Sequence, residues 1–206
     1  MADDAGTRRR VGRPTGGLDE VRRSLLTAAL NRLLETGDPA RVTVAAVVAE
    51  AGCTPPALYH YWPTRDLLLR EASALGWQQF RDSQAVSVLD LVDPVERIRE
   101  RGRSYVRFAA SHPSLFRVLF LTPEAMAADR PAAPEGDALA DLVADVATAM
   151  RSGALRPGDP WVTAVALWSS VHGVAALKAV TPTFPDDMVC AVAATAQDAV
   201  LAGLAA

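Results

Sequence analysis

Apolar residues recur at helical spacing through most of the chain, and the points where that rhythm breaks divide it into elements. Over residues 19–36, Val21, Leu25, Leu26, Ala29, Leu30 and Leu33 fall on one face, and Gly37 with Pro39 supplies the stop. The next rhythm opens at Thr43, a residue type suited to capping a helix, with Val42 before it placed to staple to Val47. It ends at Gly52, where a left-handed turn can close a helix. A second short helix starts at once. Thr54 is its cap, Pro55 fits its first turn, and Pro63 forces the chain out of helix at Trp62. Because Pro56 has no N–H, the Thr54 hydroxyl is expected to cap Ala57 instead. Val44, Val47, Val48, Ala51, Leu58 and Trp62 complete a small core with the first helix. Two short helices joined by a tight Gly turn predict a helix-turn-helix, whose second helix enters the major groove of DNA.

Beyond this pair the pattern stays helical. Thr64 opens a longer helix, with Asp66 in its first turn and Leu67, Leu68, Ala72, Leu75 and Gln79 along one face. Asp93-Pro94 starts another, with Val95, Ile98, Tyr105, Phe108 and Ala109 on its apolar side. Arg97, Arg101, Arg103 and Arg107 fall elsewhere on that helix and interleave with Glu96 and Glu100, which predicts a solvent face of local ion pairs. His112-Pro113 breaks the chain before the run SLFRVLF, and residues 127–136, with Pro131 and Pro134, read as an exposed connection. An alanine-rich helix over 138–150, stopped by Gly153, precedes two more over 160–180 and 186–204 that are apolar on nearly all sides. Such helices must be covered on nearly all sides, so the last two are expected to pair with those of a second copy in a two-fold four-helix interface.

The pattern as a whole predicts an all-α chain. Residues 1–17 form a basic arm without apolar periodicity, expected to be disordered. Residues 18–63 form a three-helix helix-turn-helix domain, joined by a connecting helix to a helical domain over 64–206.

Net charge is −3, which on its own argues against nucleic acid as a partner. Its distribution reverses that conclusion. Residues 1–70 hold ten Arg against eight acids, or +2, and the remainder holds ten Arg and one Lys against sixteen acids, or −5. Local sign decides phosphate contact, because salt screens charges beyond about 8 Å. Arg8, Arg9, Arg10 and Arg13 in the arm are placed to reach along a DNA backbone or into a minor groove, and a solvated tail is the alternative. Lys178 is the sole Lys, which we read as the imprint of a high-GC bacterial genome. Cys53 and Cys190 have no paired spacing and read as reduced thiols. No uncharged apolar run looks long enough to span a bilayer and no secretory signal is visible, so a cytoplasmic protein without a membrane partner is expected.

The run AEAGCTPPALYHYWPTRDLLL resembles the DNA-binding signature of TetR-family transcriptional repressors. The match rests on Gly52, Thr54, Leu58, Tyr59, Tyr61, Trp62, Arg65, Leu67 and Leu68, with Trp62 where Phe is usual and Arg65 where Lys is usual. Pro55-Pro56 departs from the polar or small residues common there. Trp168, His172 and Gly173 resemble a Trp-x-x-x-His-Gly run found in one group of TetR-like carboxy-terminal domains. The resemblance implies an effector-binding and dimerisation domain over 64–206. In such proteins the helix opened by Thr64 connects the effector pocket to the DNA-binding head.

The outward residues of the helix-turn-helix supply the candidate DNA contacts. Thr43, Thr54, Pro55, Pro56 and His60 can approach base edges or the backbone, and Tyr59, Tyr61 and Arg65 suit phosphates, although Tyr61 is as well suited to packing. Trp77, Phe80, Tyr105, Phe108, Phe116, Phe120, Met126, Trp168 and His172 are the candidate effector-lining residues, or else ordinary core. An aromatic lining fits a largely apolar or planar effector. No cofactor is expected, since no metal-ligand set, phosphate loop or nucleophile with its base occurs at recognisable spacing, and an enzyme would leave the reading helix unexplained. The expected function is a homodimeric, ligand-responsive repressor of a palindromic operator. An effector-independent DNA-binding regulator is the alternative.

Overall fold

A computed structural model describes residues 18–122, 138–181 and 183–206; Arg8, Arg9, Arg10, Arg13 and Met126 lie outside the described residues. Among the described residues the chain is all-α. Its helices are α1 (Leu18–Thr36), α2 (Val44–Glu50), α3 (Pro55–Tyr61), α4 (Arg65–Ser87), α5 (Pro94–Ser111), α6 (Pro113–Phe120), α7 (Ala138–Arg151), α8 (Pro160–Val180) and α9 (Asp186–Leu204), with a 3-10 turn at Pro39–Arg41. The chain divides into two compact units, one ending at Ser73 and the other running Ala74–Ala206. The boundary falls inside α4, later than the division at 63/64 read from the sequence.

In the first unit each turn has a local cause. Gly37 and Gly52 both take left-handed φ, at 63° and 65°. At Gly52 the Cys53 N–H reaches back to the Val48 carbonyl (2.9 Å) and the Gly52 N–H to Ala49 (3.4 Å), the Schellman arrangement that satisfies the last carbonyls of α2. Thr43 caps α2 through its hydroxyl, which accepts the Ala46 N–H at 3.2 Å, and the stapling valines Val42 and Val47 are both buried. Leu25, Leu26, Ala29 and Leu33 of α1 close the core with Val48, Leu58 and Trp62. The Trp62 indole N–H donates to Glu71 at 2.6 Å, Arg22 also pairs with Glu71, and the Arg22 guanidinium lies 5.6 Å from the Trp62 ring centre. These bonds tie the first turns of α4 to this unit.

The face of α4 differs from the sequence reading. Leu68, Leu69, Ala72, Gly76 and Phe80 are buried, while Leu67, Leu75 and Gln79 are exposed. The inward row is therefore the i+4 series 68, 72, 76, 80, one residue around the helix from the series containing Leu67, Leu75 and Gln79. Gly76 concealed that row because it carries no side chain; a Cβ there would lie 2.6 Å from Leu115 Cδ1.

In the second unit α5 packs against α6, α7, α8 and α9. Asp93 caps it, accepting the Val95 and Glu96 N–H groups (2.8 and 2.9 Å), and Asp159 caps α8 in the same way through Trp161 (2.8 Å), each followed by a proline in the first helical position. Ile98, Val146, Leu155, Ala164, Leu167 and Leu201 form a core cluster. Half of the expected Arg face of α5 is as read from the sequence: Arg103 and Arg107 pair with Glu96 and Glu100. The other half is corrected. Arg101 is only 7% exposed and, with Arg97, turns onto Asp145 of α7.

By length and composition alone α8 and α9, with a mean hydropathy of 1.3, are long and apolar enough to cross a bilayer, a test that the core helix of a helical bundle passes equally; the expectation concerned uncharged runs, and α9 carries Asp198. The value comes from small apolar residues, and α8 carries Thr163, Ala164, Leu167, Val171 and Ala175 into the bundle. On their other sides Val162, Leu177 and Val180 of α8 and Met188 and Val192 of α9 are exposed.

Candidate functional site

The helix-turn-helix presents one continuous outward face. Leu58 and Trp62 point into the core, and the helical period then leaves Thr54, Pro55, Pro56, Tyr59 and His60 exposed together. Thr54 does not cap α3 with its hydroxyl; the Ala57 N–H, expected to be its target, is taken by the Thr54 carbonyl at 3.0 Å. The hydroxyl is thereby spared for another partner. Pro55 and Pro56 remove the two foremost backbone donors of the helix.

Two of the residues assigned to phosphates are engaged within the fold. The Tyr61 hydroxyl donates to the Leu18 carbonyl at 2.8 Å, anchoring the start of α1. Arg65 donates to the Val42 carbonyl (3.3 Å) and to Asp66 (2.9 and 3.1 Å), so its charge is partly matched in place. Thr43 is exposed, with its hydroxyl on Ala46. The sequence reading passed over Arg23, Arg41 and Arg70, which are exposed and make no ion pair among the described residues. Between residues 18 and 70 six Arg face six acids, so the +2 of residues 1–70 comes entirely from the arm.

In the second unit the predicted aromatic residues meet. Phe80 stands edge-on to Trp77, Tyr105, Phe108 and Phe120 at centroid distances of 6.0, 5.5, 5.1 and 5.3 Å, and Phe116 lies 4.9 Å from Phe120. Trp168 and His172, one turn apart on α8, lie 4.9 Å from each other. Beside this cluster is a cavity of about 380 Å³, near the lower end of the roughly 300–1,000 Å³ usual for small-molecule sites. Trp77, Phe80, Tyr105, Phe120, Trp168 and His172 line it; Phe108 and Phe116 are buried behind the wall as packing. Leu142, Leu167 and Val171 add aliphatic surface.

The polar part of the wall was largely missed. Gln84, Arg101 and Gln197 line the cavity with Tyr105 and His172, and all three are buried. The Gln197 amide donates to the Ile98 carbonyl at 2.9 Å, and a Cβ on Gly102 would overlap that amide. A larger residue at 102 would require the Gln197 amide to shift from this position. Gln84 bonds to the Ser104 hydroxyl at 3.1 Å.

Tyr105 and His172 form a pair, Oη to Nδ1, of 2.7 Å. Burial raises the Tyr105 hydroxyl above the usual tyrosine range, opposed by a hydrogen bond from Trp168, so it stays protonated. Burial lowers the His172 imidazole below its ordinary value, which favours the neutral ring. If Tyr105 donates to Nδ1, the neutral His172 ring carries its proton on Nε2. Among the described residues that Nε2 has no protein partner. A wider depression of about 550 Å³ lies open between the start of α5 and the end of α9, and its Arg99 and Arg103 are already paired with Asp198 and Glu96.

Comparison with known proteins agrees with both halves. The family described as bacterial regulatory proteins, tetR family, matches residues 25–72. The family described as tetracyclin repressor-like, C-terminal domain, matches residues 98–201. Among solved structures the chain is similar to a protein of unknown function from Rhodococcus sp. RHA1, at 23% identity over 95% of this chain and 100% of that one, with a TM-score of 0.74. It is similar to SmeT, the repressor of the Stenotrophomonas maltophilia multidrug efflux pump SmeDEF, at 23% identity over 90% of each chain and a TM-score of 0.67. It is also similar to AibR, solved in complex with isovaleryl coenzyme A and operator DNA, at 20% identity over 89% of this chain and 97% of that one, with a TM-score of 0.61. At these identities the likeness is one of fold. No curated relative matches the chain in sequence.

Proposed function

Because the chain belongs to the TetR family of bacterial transcriptional regulators, we propose that it is a ligand-responsive repressor that binds a palindromic operator as a homodimer and is released by a small-molecule effector. The observation that carries this reading is the exposed face of α3, where Thr54, Pro55, Pro56, Tyr59 and His60 stand clear of a core sealed by Leu58 and Trp62. Proline rings and the Tyr59 edge favour thymine methyl groups, while Thr54 and His60 supply the hydrogen bonds. Arg23, Arg41 and Arg70, together with Arg8, Arg9, Arg10 and Arg13 of the arm, meet phosphates and set the register.

Dimerisation is assigned to α8 and α9. Val162, Leu177, Val180, Met188 and Val192 are large apolar side chains left exposed on these two helices, a surface that a second copy would cover. Two-fold symmetry would set two α3 helices about 34 Å apart, one turn of DNA. The cavity favours an effector-responsive regulator over an effector-independent one, and its aromatic wall suits a largely apolar ligand. Reciprocity then requires operator DNA to weaken ligand binding by the factor through which ligand weakens DNA binding, typically worth about 1–3 kcal/mol. AibR, solved with both a small molecule and operator DNA, shows a protein of this fold holding each. We read the chain as a cytoplasmic regulator rather than an enzyme.

The test is selection of bound sequences from a random duplex pool at two salt concentrations. A palindromic site that survives the higher salt is expected. Recovery of unrelated sequences that vanish at higher salt would leave only phosphate attraction and would end the operator reading. Removing residues 1–13 should lower affinity and reduce its salt dependence without changing the selected site; a changed site would give the arm a part in specificity.

A further inference from the structure

The cavity wall carries one formal charge. Among the described residues that line it, Arg101 alone is charged at neutral pH, and no carboxylate joins it. Its side chain is 7% exposed, and it shares its closest counter-charge with Arg97. Asp145 accepts the Arg101 Nε at 2.6 Å and the Arg97 Nε at 2.7 Å, so two guanidinium groups share one buried carboxylate. The Arg101 Nη1 is buried without a hydrogen-bond partner. The nearest acid to it, Asp141, stands 3.7 Å away with its side chain 45% exposed, too far for a hydrogen bond and well screened. A buried cation with an unfilled donor is an unfavourable arrangement that an incoming anion relieves. The other polar groups of the wall, Gln84, Gln197, Tyr105 and His172, add hydrogen-bonding capacity.

Resting on the effector reading of this cavity, we propose that its ligand is a monoanionic amphiphile, an aliphatic or aryl carboxylate whose head is received at Arg101 and whose body lies against Trp77, Phe80 and Phe120. A single cation matches a single carboxylate. The aromatic surface has no use in binding a small inorganic anion. A neutral apolar ligand would leave the Arg101 donor as unfilled as it is in the empty cavity. Nothing local in the chain marks this role, because Arg101 falls among arginines that pair with near neighbours on α5.

The test compares matched pairs of probes on the full-length protein: decanoate with decanamide, and 4-phenylbutanoate with 4-phenylbutanamide, by titration calorimetry and by quenching of tryptophan fluorescence. Trp77 and Trp168 stand in the wall and report directly. At least one carboxylate is expected to bind about tenfold or more tightly than its amide, the difference of a charge-assisted hydrogen bond over a neutral one. In Arg101→Gln that preference should collapse while the amide still binds. The wild-type comparison stands even if this variant fails to fold. Equal binding of acid and amide, tighter binding of the amide, absence of saturable binding by both carboxylates at millimolar concentration, or inorganic phosphate binding as tightly as the carboxylates would each overturn the proposal. Operator release measured with the same probes separates this inference from the reading beneath it. A carboxylate that binds at Arg101 yet leaves DNA bound would sink the effector reading alone; an amide that binds equally and releases DNA would sink only the carboxylate.

Discussion

The two units of this chain build their sites from bonds of different reach. In the unit ending at Ser73 the reading face is set by neighbours: Thr43 with Ala46, Val48 with Cys53, Thr54 with Ala57. In the unit beginning at Ala74 the cavity is set by partners far apart along the chain: Arg101 with Asp145, Tyr105 with His172, Ile98 with Gln197. The first turns its polar groups outward and keeps an apolar interior, whereas the second encloses polar groups around an interior space. A face made by local capping is robust to what happens elsewhere. A cavity made by distant pairs depends on every helix that contributes to it.

The largest effect that would sharpen this contrast is at the shared carboxylate. Asp145→Ala should strand Arg97 and Arg101 and cost about 3–5 kcal/mol, the usual penalty for removing one partner of a buried ion pair. Glu50→Ala in the first unit also removes a carboxylate, one paired with Arg32 at 2.6 Å, yet Arg32 keeps Glu35 and more water, so the loss should stay under about 1 kcal/mol. Urea denaturation of both variants checks the pair, and equal losses would erase the distinction between the units.

A smaller effect separates two threonines at equivalent positions. Thr43→Ala removes a hydroxyl cap and should cost about 1 kcal/mol. Thr54→Ala removes a hydroxyl that caps nothing, and should change stability by less than about 0.5 kcal/mol while relaxing sequence preference on DNA. Similar destabilisation of both would mean that Thr54 supports α3 after all.

The smallest effect concerns pH. The His172 imidazole titrates below its ordinary value of 6.5 in the folded chain, so the unfolded chain binds more protons as pH falls past 6.5. Its contribution is therefore fully present above that value, declines as pH drops toward the native value and levels off beneath it. His172→Asn should lose this component, seen as a shallower fall in urea midpoint between neutral and mildly acid pH. Parallel slopes in the two proteins would show that burial of the ring does not govern the titration.

These contrasts explain what the sequence revealed. Thr43, Gly52, Leu58 and Trp62 were legible because caps, glycine turns and helical period operate over a few residues. The aromatic cluster was legible as a set, since large rings on apolar faces must pack somewhere, but which rings line space and which fill it was not. Arg101 was misread because its charge was taken to place it on the solvent face, although it lies three residues after Ile98 and four before Tyr105 on the buried side of α5, and its partner Asp145 lies on another helix. Gln84 and Gln197 had no local signal, as an amide reveals its burial only through the partner it meets. On α4 two adjacent i+4 rows were confused because the buried one passes through Gly76.

The paired prolines at the head of α3 also act where no contact is visible, in the unfolded chain. A seven-residue helix is far below the length that persists by itself in water, because fixing its first turn loses more backbone freedom than one hydrogen bond restores. Pro55 and Pro56 have φ held near the helical value before folding starts, so part of that freedom is never present to be lost. Substitutions that introduce proline at compatible sites stabilise by about 0.4–1 kcal/mol through this route. The helix proposed to read DNA is thus pre-shaped by its own covalent rings, and the side chains that follow them can vary without dissolving the turn that presents them.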